Sequence, residues 1–125
     1  MKLVLDSHVL IWRSQDSDRL PPRWAALITD SDTEVFVSAA SVWEVEIKKH
    51  TGKLALASTL ITLCEDEQMT ILDITPADAV LAGSMEWSHK DPFDRMLVAQ
   101  ARERGLTIAT TDAAMLTAPG VRFLG

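Results

Sequence analysis

Short apolar runs alternate with longer amphipathic segments along the chain. Runs of four or five residues bounded by polar or turn-forming residues are typical of strands buried on both faces. Apolar residues that recur every three or four positions indicate helices between them. The pattern predicts strands at 2–5, 34–37, 70–74, 106–110 and 121–124, and helices at 7–13, 22–30, 38–50, 55–67, 76–87, 92–104 and 112–116.

Proline and glycine mark the ends of several predicted helices. Pro22, Pro76 and Pro92 fall in first turns, where proline is favoured, and Gly52 and Gly105 follow last turns. Strands that alternate with helices at this spacing predict a parallel sheet covered by helices on both faces. We therefore expect an α/β fold, a three-layer α/β/α sandwich with a central parallel sheet of about five strands, as one domain over residues 1–125.

Polar side chains follow the predicted strands at the edge where ligands bind in parallel sheets. That edge is the one formed by the carboxyl ends of the strands. Helices that lead back into the sheet also begin there. The residues expected at this edge are Asp6, Ser38, Glu44, Asp94, Thr110 and Asp112.

Singly, each acid has an ordinary structural explanation. Asp6 and Asp91 stand where helix N-caps are expected, and Asp112 precedes a short helix in the same way. Glu44 is spaced to form an i,i+4 ion pair with Lys48. Asp94, in the first turn of its helix, is favoured by the helix dipole, but it also shares a helix face with Leu97, Val98 and Ala101, at about 100° per residue. A carboxylate on a buried face needs a cation, several donors or a proton.

Together, four carboxylates at one edge would repel one another unless a cation lies among them. Oxygen ligands of this kind suit Mg²⁺, with Mn²⁺ as the alternative. Such ions bind phosphate oxygens and activate water for phosphodiester hydrolysis. The lone Cys64, expected in the core, excludes an internal disulfide and a multi-cysteine zinc site.

The overall charge restricts the surface available for nucleic acid. The net charge of -6 and the isoelectric point near 4.9 argue against a broad basic face, but not against a small basic patch. No apolar run approaches the roughly 20 residues of a membrane span, and no signal peptide is recognisable. We expect a soluble cytoplasmic protein without a membrane partner.

Five stretches resemble, in order, the PIN-domain family. They are L-V-L-D-S-H-V-L-I-W, V-S-A-A-S-V-W-E-V-E-I-K, G-K-L, H-K-D-P-F-D-R-M-L-V-A-Q-A and T-T-D. Within that family the resemblance is greatest to the VapC-type ribonuclease toxins of bacterial toxin–antitoxin pairs. It implies a metal-dependent endoribonuclease with its acidic site at Asp6, Glu44, Asp94 and Asp112, supported by the Thr110 hydroxyl and by Asp91. It also implies an RNA substrate, an antitoxin partner and a homodimer or a toxin–antitoxin hetero-oligomer.

The other cations, histidines and tryptophans are expected to bind substrate, support the fold or form an interface. Lys48, Lys49, Lys53 and Arg95 are the local cations expected to hold the RNA backbone, although the lysines also suit a solvated helix end. His8, His50 and His89 are scattered, and we expect structural or surface roles for them. Trp12 and Trp43 follow site elements and are candidates for a dimer or antitoxin interface.

Two other functions remain open from the residues alone. Another Mg²⁺-dependent phosphoryl-transfer enzyme, such as a phosphatase with an aspartyl nucleophile, would also place Asp6 after the first strand. It would usually have an acid or Thr two residues on, where this chain has His8. A non-catalytic acidic interaction module would use the same acids only as helix caps or to bind a structural ion.

Overall fold

The computed structural model describes all residues from 1 to 125 and confirms the α/β fold. The strands are β1 (Lys2–Leu5), β2 (Glu34–Ser38), β3 (Thr70–Leu72), β4 (Thr107–Ala109) and β5 (Arg122–Phe123). The helices are α1 (Ser7–Ser14), α2 (Pro22–Thr29), α3 (Ala39–His50), α4 (Leu60–Asp66), α5 (Pro76–Ser84) and α6 (Pro92–Arg104).

All five strands run parallel in the order β3-β2-β1-β4-β5. The chain builds the sheet outward from β1 to β3 in one direction and then returns to add β4 and β5 on the other side of β1. The carboxyl ends of β1 and β4 therefore lie side by side where the order reverses. In open α/β sheets this point forms the ligand-binding crevice.

Two apolar clusters cover the two faces of the sheet. Because side chains alternate along a strand, Leu3 and Leu5 enter one cluster while Val4 between them enters the other. Helices α1 to α4 contribute to the first cluster, and α5 and α6 contribute to the second. This arrangement is the three-layer α/β/α sandwich expected from the sequence. No helix in the structure combines the length and the apolar character required to cross a membrane.

The predicted ends of three helical segments are wrong. Helix α4 begins at Leu60 rather than at 55, because the Thr59 side chain caps it by accepting a hydrogen bond from the Thr62 backbone N–H. Helix α5 ends at Ser84 rather than near 87, since Met85 has an extended backbone. The helix expected at 112–116 is a single 3-10 turn, Met115–Thr117. By contrast, α6 ends at Gly105 as expected, with a left-handed backbone (φ 64°) that favours glycine.

A buried ion pair joins α5 to α6, which the sequence did not suggest. Both guanidinium nitrogens Nη1 and Nη2 of Arg104 donate to the Asp78 carboxylate at 2.9 Å, and Gln100 donates to it at 3.2 Å. Asp78 also completes a capping box at the start of α5 with Thr75. These donors hold the pKa of Asp78 well below its usual range, with Arg104 as the largest cause.

Candidate metal centre

Asp6 stands at the point where β1 ends and α1 begins. Its carboxylate oxygen Oδ1 accepts the His8 backbone N–H at 3.4 Å and so caps α1. Its other oxygen, Oδ2, accepts the Thr110 hydroxyl at 2.8 Å. Burial raises the pKa of Asp6, but the hydrogen bonds from His8 and Thr110 outweigh burial, so that the net pKa is lowered. Asp6 is therefore ionised at neutral pH.

Glu44 projects from the middle of α3 toward Asp6. The Ser7 hydroxyl lies 3.4 Å from Asp6 Oδ1 and 3.5 Å from Glu44 Oε1, and so bridges the two acids. Lys48, one turn further along α3, places its Nζ 3.6 Å from Glu44 Oε2. Glu46 faces the other way and pairs with Lys49 at 3.0 Å.

The third part of the site lies at the start of α6. Asp91 caps this helix through Oδ1, which accepts the backbone N–H groups of Phe93 and Asp94 at 2.9 and 3.2 Å. Asp94 points back into the site, with only 16% of its side chain exposed, and its Oδ2 lies 2.6 Å from His89 Nε2. One potential ligand atom each from His89, Asp91 and Asp94 lies within 4.8 Å of the other two.

The electrostatics of these acids favour a cation among them. Burial is the largest cause that raises the pKa of Asp94; together with the neighbouring charges of Asp91, Asp6 and Glu44, and against the hydrogen bond from His89, it brings this pKa to about 6. Burial likewise raises the pKa of Glu44, with contributions from Asp91 and Asp6, although Lys48 opposes them. Half-buried carboxylates that repel one another are relieved by a bound divalent ion. The oxygen and imidazole donors therefore fit a metal.

Two predicted site residues act on the local backbone. Ser38 is fully buried, and its hydroxyl caps α3 by accepting the Ala40 backbone N–H at 3.0 Å. Asp112 is exposed, and its carboxylate accepts the Ala114 backbone N–H at 2.9 Å. The Asp112 backbone N–H in turn donates to the Thr110 hydroxyl at 3.1 Å, which ties this turn to Asp6. A role for Asp112 as a metal ligand stays a prediction.

Arg95 is not available to hold an RNA backbone, which corrects our expectation. Its guanidinium donates four hydrogen bonds to backbone carbonyls at 2.5 to 2.9 Å, one in helix α5 (Ala82) and three in the α5–α6 connection. Lys49 is also engaged, since its Nζ donates to Ser58 O and to Glu46 at 3.0 Å each. Lys48 keeps only its longer contact with Glu44, and Lys53 is exposed.

Two of the three histidines contact the site, which also corrects our expectation. His89 hydrogen-bonds to Asp94, and His8 Nδ1 lies 3.6 Å from Asp6 Oδ1. The hydrogen bond to Asp6 raises the pKa of His8 despite partial burial. His8 still lies at the surface, with 57% of its side chain exposed, and His50 is a surface residue with 80% of its side chain exposed. The spacing H-x-D-x-x-D, from His89 to Asp94, was the signal in the sequence that could have revealed the contact.

An exposed aromatic surface borders the acids. Trp43 precedes Glu44 on α3 and is 62% exposed, while its ring meets the ring of Phe93 edge-on at 5.0 Å. Ile47, one turn further on α3, is also exposed. Trp12, in contrast, packs against the apolar cluster on the α1–α4 face of the sheet. Of the two tryptophans proposed for an interface, Trp43 is the accessible one.

Comparison with known proteins places this geometry in a family. The model of the PIN domain family matches residues 3–120. Ribonuclease VapC22 of Mycobacterium tuberculosis is 31% identical over 113 residues, covering 88% of this chain and 86% of the relative.

Solved structures show the same fold at lower identity. VapBC2 from Rickettsia felis, bound to a DNA fragment from its promoter, superposes with a TM-score of 0.66 at 11% identity, covering 99% of this chain and 98% of the other. DNA-bound VapBC from Salmonella typhimurium gives 0.66 at 19% identity, covering 99% and 97%. With a family model that matches nearly its full length and a relative above 30% identity, this chain belongs to the PIN-domain family.

Proposed function

We propose that the protein is a metal-dependent endoribonuclease that hydrolyses RNA phosphodiester bonds. The observation that carries the proposal is the placement of Asp6 and Glu44, joined by the Ser7 hydroxyl, near the switch point of the sheet and close enough to Asp94 for their charges to raise its pKa. The relative Ribonuclease VapC22 supports the same reaction, since its name describes a ribonuclease.

In this proposal Asp6, Glu44 and Asp94 hold Mg²⁺, directly or through water, and Asp112 completes the site or positions a second ion. Mn²⁺ is the alternative ion. When bound, the ion supplies charge neutralisation for the phosphate and an activated water for attack on phosphorus. Thr110 and Ser7 orient the acids by hydrogen bonds to Asp6 and Glu44. An unpaired or looped RNA is the favoured substrate, because its backbone and bases are accessible.

The cations near the acids would contribute modestly to substrate binding. Lys48 lies beside Glu44 at the edge of the site and is the best placed to meet a phosphate. Lys49 would first have to leave Glu46 and Ser58. Lys48 and Lys49 therefore remain proposed RNA contacts, and Arg95 does not.

We further propose that the protein acts in the cytoplasm as the toxin of a toxin–antitoxin pair. The VapBC complexes among its structural neighbours motivate an antitoxin partner. The exposed surface of Trp43 and Ile47 suits contact with an antitoxin or with a second copy in a homodimer. Expression of the chain alone should arrest growth, and co-expression of a small adjacent reading frame should restore it.

Cleavage of a mixed, structured RNA pool tests the nuclease proposal. The purified chain should cut in Mg²⁺ or Mn²⁺, stop in EDTA and resume when metal is restored. Glu44→Gln should abolish cutting, whereas Glu46→Gln, on the same helix but facing solvent, should leave it intact. Equal activity in both variants, or cutting that survives EDTA, would contradict a metal site at Glu44.

A further inference from the structure

The imidazole of His89 lies where a metal ligand would lie. Its Nε2 atom is 2.6 Å from Asp94 Oδ2, and Asp91 offers an oxygen within 4.8 Å of both groups. Two neighbouring ligands of one octahedral ion at about 2.1 Å lie about 3 Å apart. A small outward shift of the two groups would therefore replace the hydrogen bond by a shared ion.

The protein fixes this imidazole in place by several contacts. Arg95 Nη1 binds the backbone carbonyls of both Trp87 and His89, at 2.8 and 2.9 Å. The Trp87 ring packs against the His89 ring at 4.8 Å, and its own Nε1 donates to the Thr117 hydroxyl at 2.9 Å. Only 24% of the His89 side chain is exposed, against 80% for His50. Ligands held by such a supporting framework bind metal without a large ordering cost.

We propose that His89 is a nitrogen ligand, through Nε2, of the divalent ion held by Asp94 in the proposed site, with Asp91 as a neighbouring oxygen donor. This inference rests on the metal dependence of the proposed function and adds a ligand that is not a carboxylate. Imidazole suits transition ions, whereas Mg²⁺ prefers oxygen ligands. The mixed set of one imidazole and several carboxylates therefore gives this site a preference for Mn²⁺ over Mg²⁺ beyond that of an all-oxygen site.

Pulsed electron paramagnetic resonance of bound Mn²⁺ tests this ligand directly. The wild-type protein should show hyperfine coupling to one imidazole nitrogen. His89→Gln should lose the coupling, while His50→Gln, on the surface, and His8→Gln, beside Asp6, should keep it. In calorimetric titrations, His89→Gln should weaken Mn²⁺ binding at least about tenfold and change Mg²⁺ binding much less. Thermal unfolding monitored by circular dichroism checks that each variant is folded.

Several results would overturn the inference. Bound Mn²⁺ without nitrogen coupling in the wild type would do so, as would coupling that persists in His89→Gln. Failure of Mn²⁺ to bind at millimolar concentration would overturn both this inference and the metal dependence of the proposed function. Because the spectra need no RNA, nitrogen coupling without cleavage would contradict only the ribonuclease. Cleavage without coupling would contradict only the ligand.

Discussion

At the scale of single residues, the acids of the site differ in how well the fold stabilises their charged forms. Asp6 is stabilised as an anion by its hydrogen bonds, but Asp94 is destabilised as an anion by burial and by its acidic neighbours. No lysine or arginine side chain pairs with Asp94. Ionised Asp94 therefore lowers the stability of the metal-free protein, and a bound cation would relieve this destabilisation.

Asp94→Asn should consequently stabilise the metal-free protein at alkaline pH. Folding raises the pKa of Asp94 from an ordinary 3.8 to about 6, so the folded state binds this proton more tightly than the unfolded state does. The free energy of unfolding therefore falls as the pH rises from about 4 to about 6, and it stays lower at higher pH. We expect a gain of about 1 kcal/mol at pH 8, limited by solvent screening, and almost none at pH 4.

Urea unfolding in EDTA at the two pH values measures this gain. Asp73→Asn is the matched control, because the Asp73 side chain is exposed and forms no hydrogen bond. A loss of stability in Asp94→Asn at pH 8 would mean that the carboxylate is structural.

At the scale of elements, the connection between α5 and α6 shapes one wall of the site. Residues 85–91 contain no regular structure, and their path is fixed by Arg95 from within α6. The sequence indicates the helix and its cap at Asp91 correctly. It does not indicate that Arg95 turns back to the connection, because that contact depends on where α5 ends.

Arg95→Met should destabilise the fold by about 2 to 4 kcal/mol, since it leaves several carbonyls without their donor. Arg102→Met, at an exposed position of the same helix, should change stability by no more than about 0.5 kcal/mol. Urea unfolding distinguishes the two variants. An Arg95→Met protein of normal stability that binds RNA poorly would instead restore Arg95 as an RNA contact.

The buried pair between α5 and α6 carries a separate prediction. Asp78→Asn should cost about 3 kcal/mol, because it removes one partner of a nearly buried ion pair. The lowered pKa of Asp78 means that the pair stabilises the fold at neutral pH and that this contribution fades as the pH falls below about 4. Unfolding measured from pH 7 to pH 3 should therefore show the two proteins converging. Parallel curves would show that Asp78 stabilises by packing alone.

At the scale of the whole molecule, the proposed ribonuclease is an acidic protein that would have to bind a polyanion with few free cations. The net charge is -6, Arg95 and Lys49 are engaged within the protein, and Lys48 lies against Glu44. A metal ion at the acidic edge and aromatic contacts such as Trp43 must then contribute much of the affinity. Stacking on an aromatic ring depends little on ionic strength, unlike contacts with phosphates.

RNA binding should accordingly depend weakly on salt. The measurement uses single-stranded RNA at a fixed Mn²⁺ concentration, with Asp94→Asn to prevent cutting. We expect the logarithm of the association constant to fall with log salt at a slope no steeper than about −1.5, which corresponds to roughly two phosphates. Fluorescence anisotropy between low and moderate KCl gives the slope, and Lys48→Gln should reduce it by less than about one. A slope of about −3 or steeper would contradict this expectation, because it would require a basic surface that contacts several phosphates.

The sequence predicts the architecture well and the contacts of the site only in part. Alternating apolar runs, prolines and Gly105 are local signals, and they locate the strands and most helix ends. Asp6, Glu44 and Asp94 follow from strand ends and helix faces, which are also local. The contact of His89 with Asp94 is local, and the spacing H-x-D-x-x-D could have revealed it. The contacts of Arg95 with the α5–α6 connection and of Arg104 with Asp78 depend on how separate elements pack, and no spacing rule encodes them.

The most direct test of the central claim is metal-dependent RNA cleavage by Asp94→Asn beside the wild type and Asp73→Asn. The wild type and Asp73→Asn should cut RNA in Mg²⁺ or Mn²⁺ and not in EDTA. Asp94→Asn should be folded yet cut at least about a hundredfold more slowly, as expected when a group that supports the reacting ion is lost. Undiminished cutting by a folded Asp94→Asn would contradict a metal-dependent site at this carboxylate.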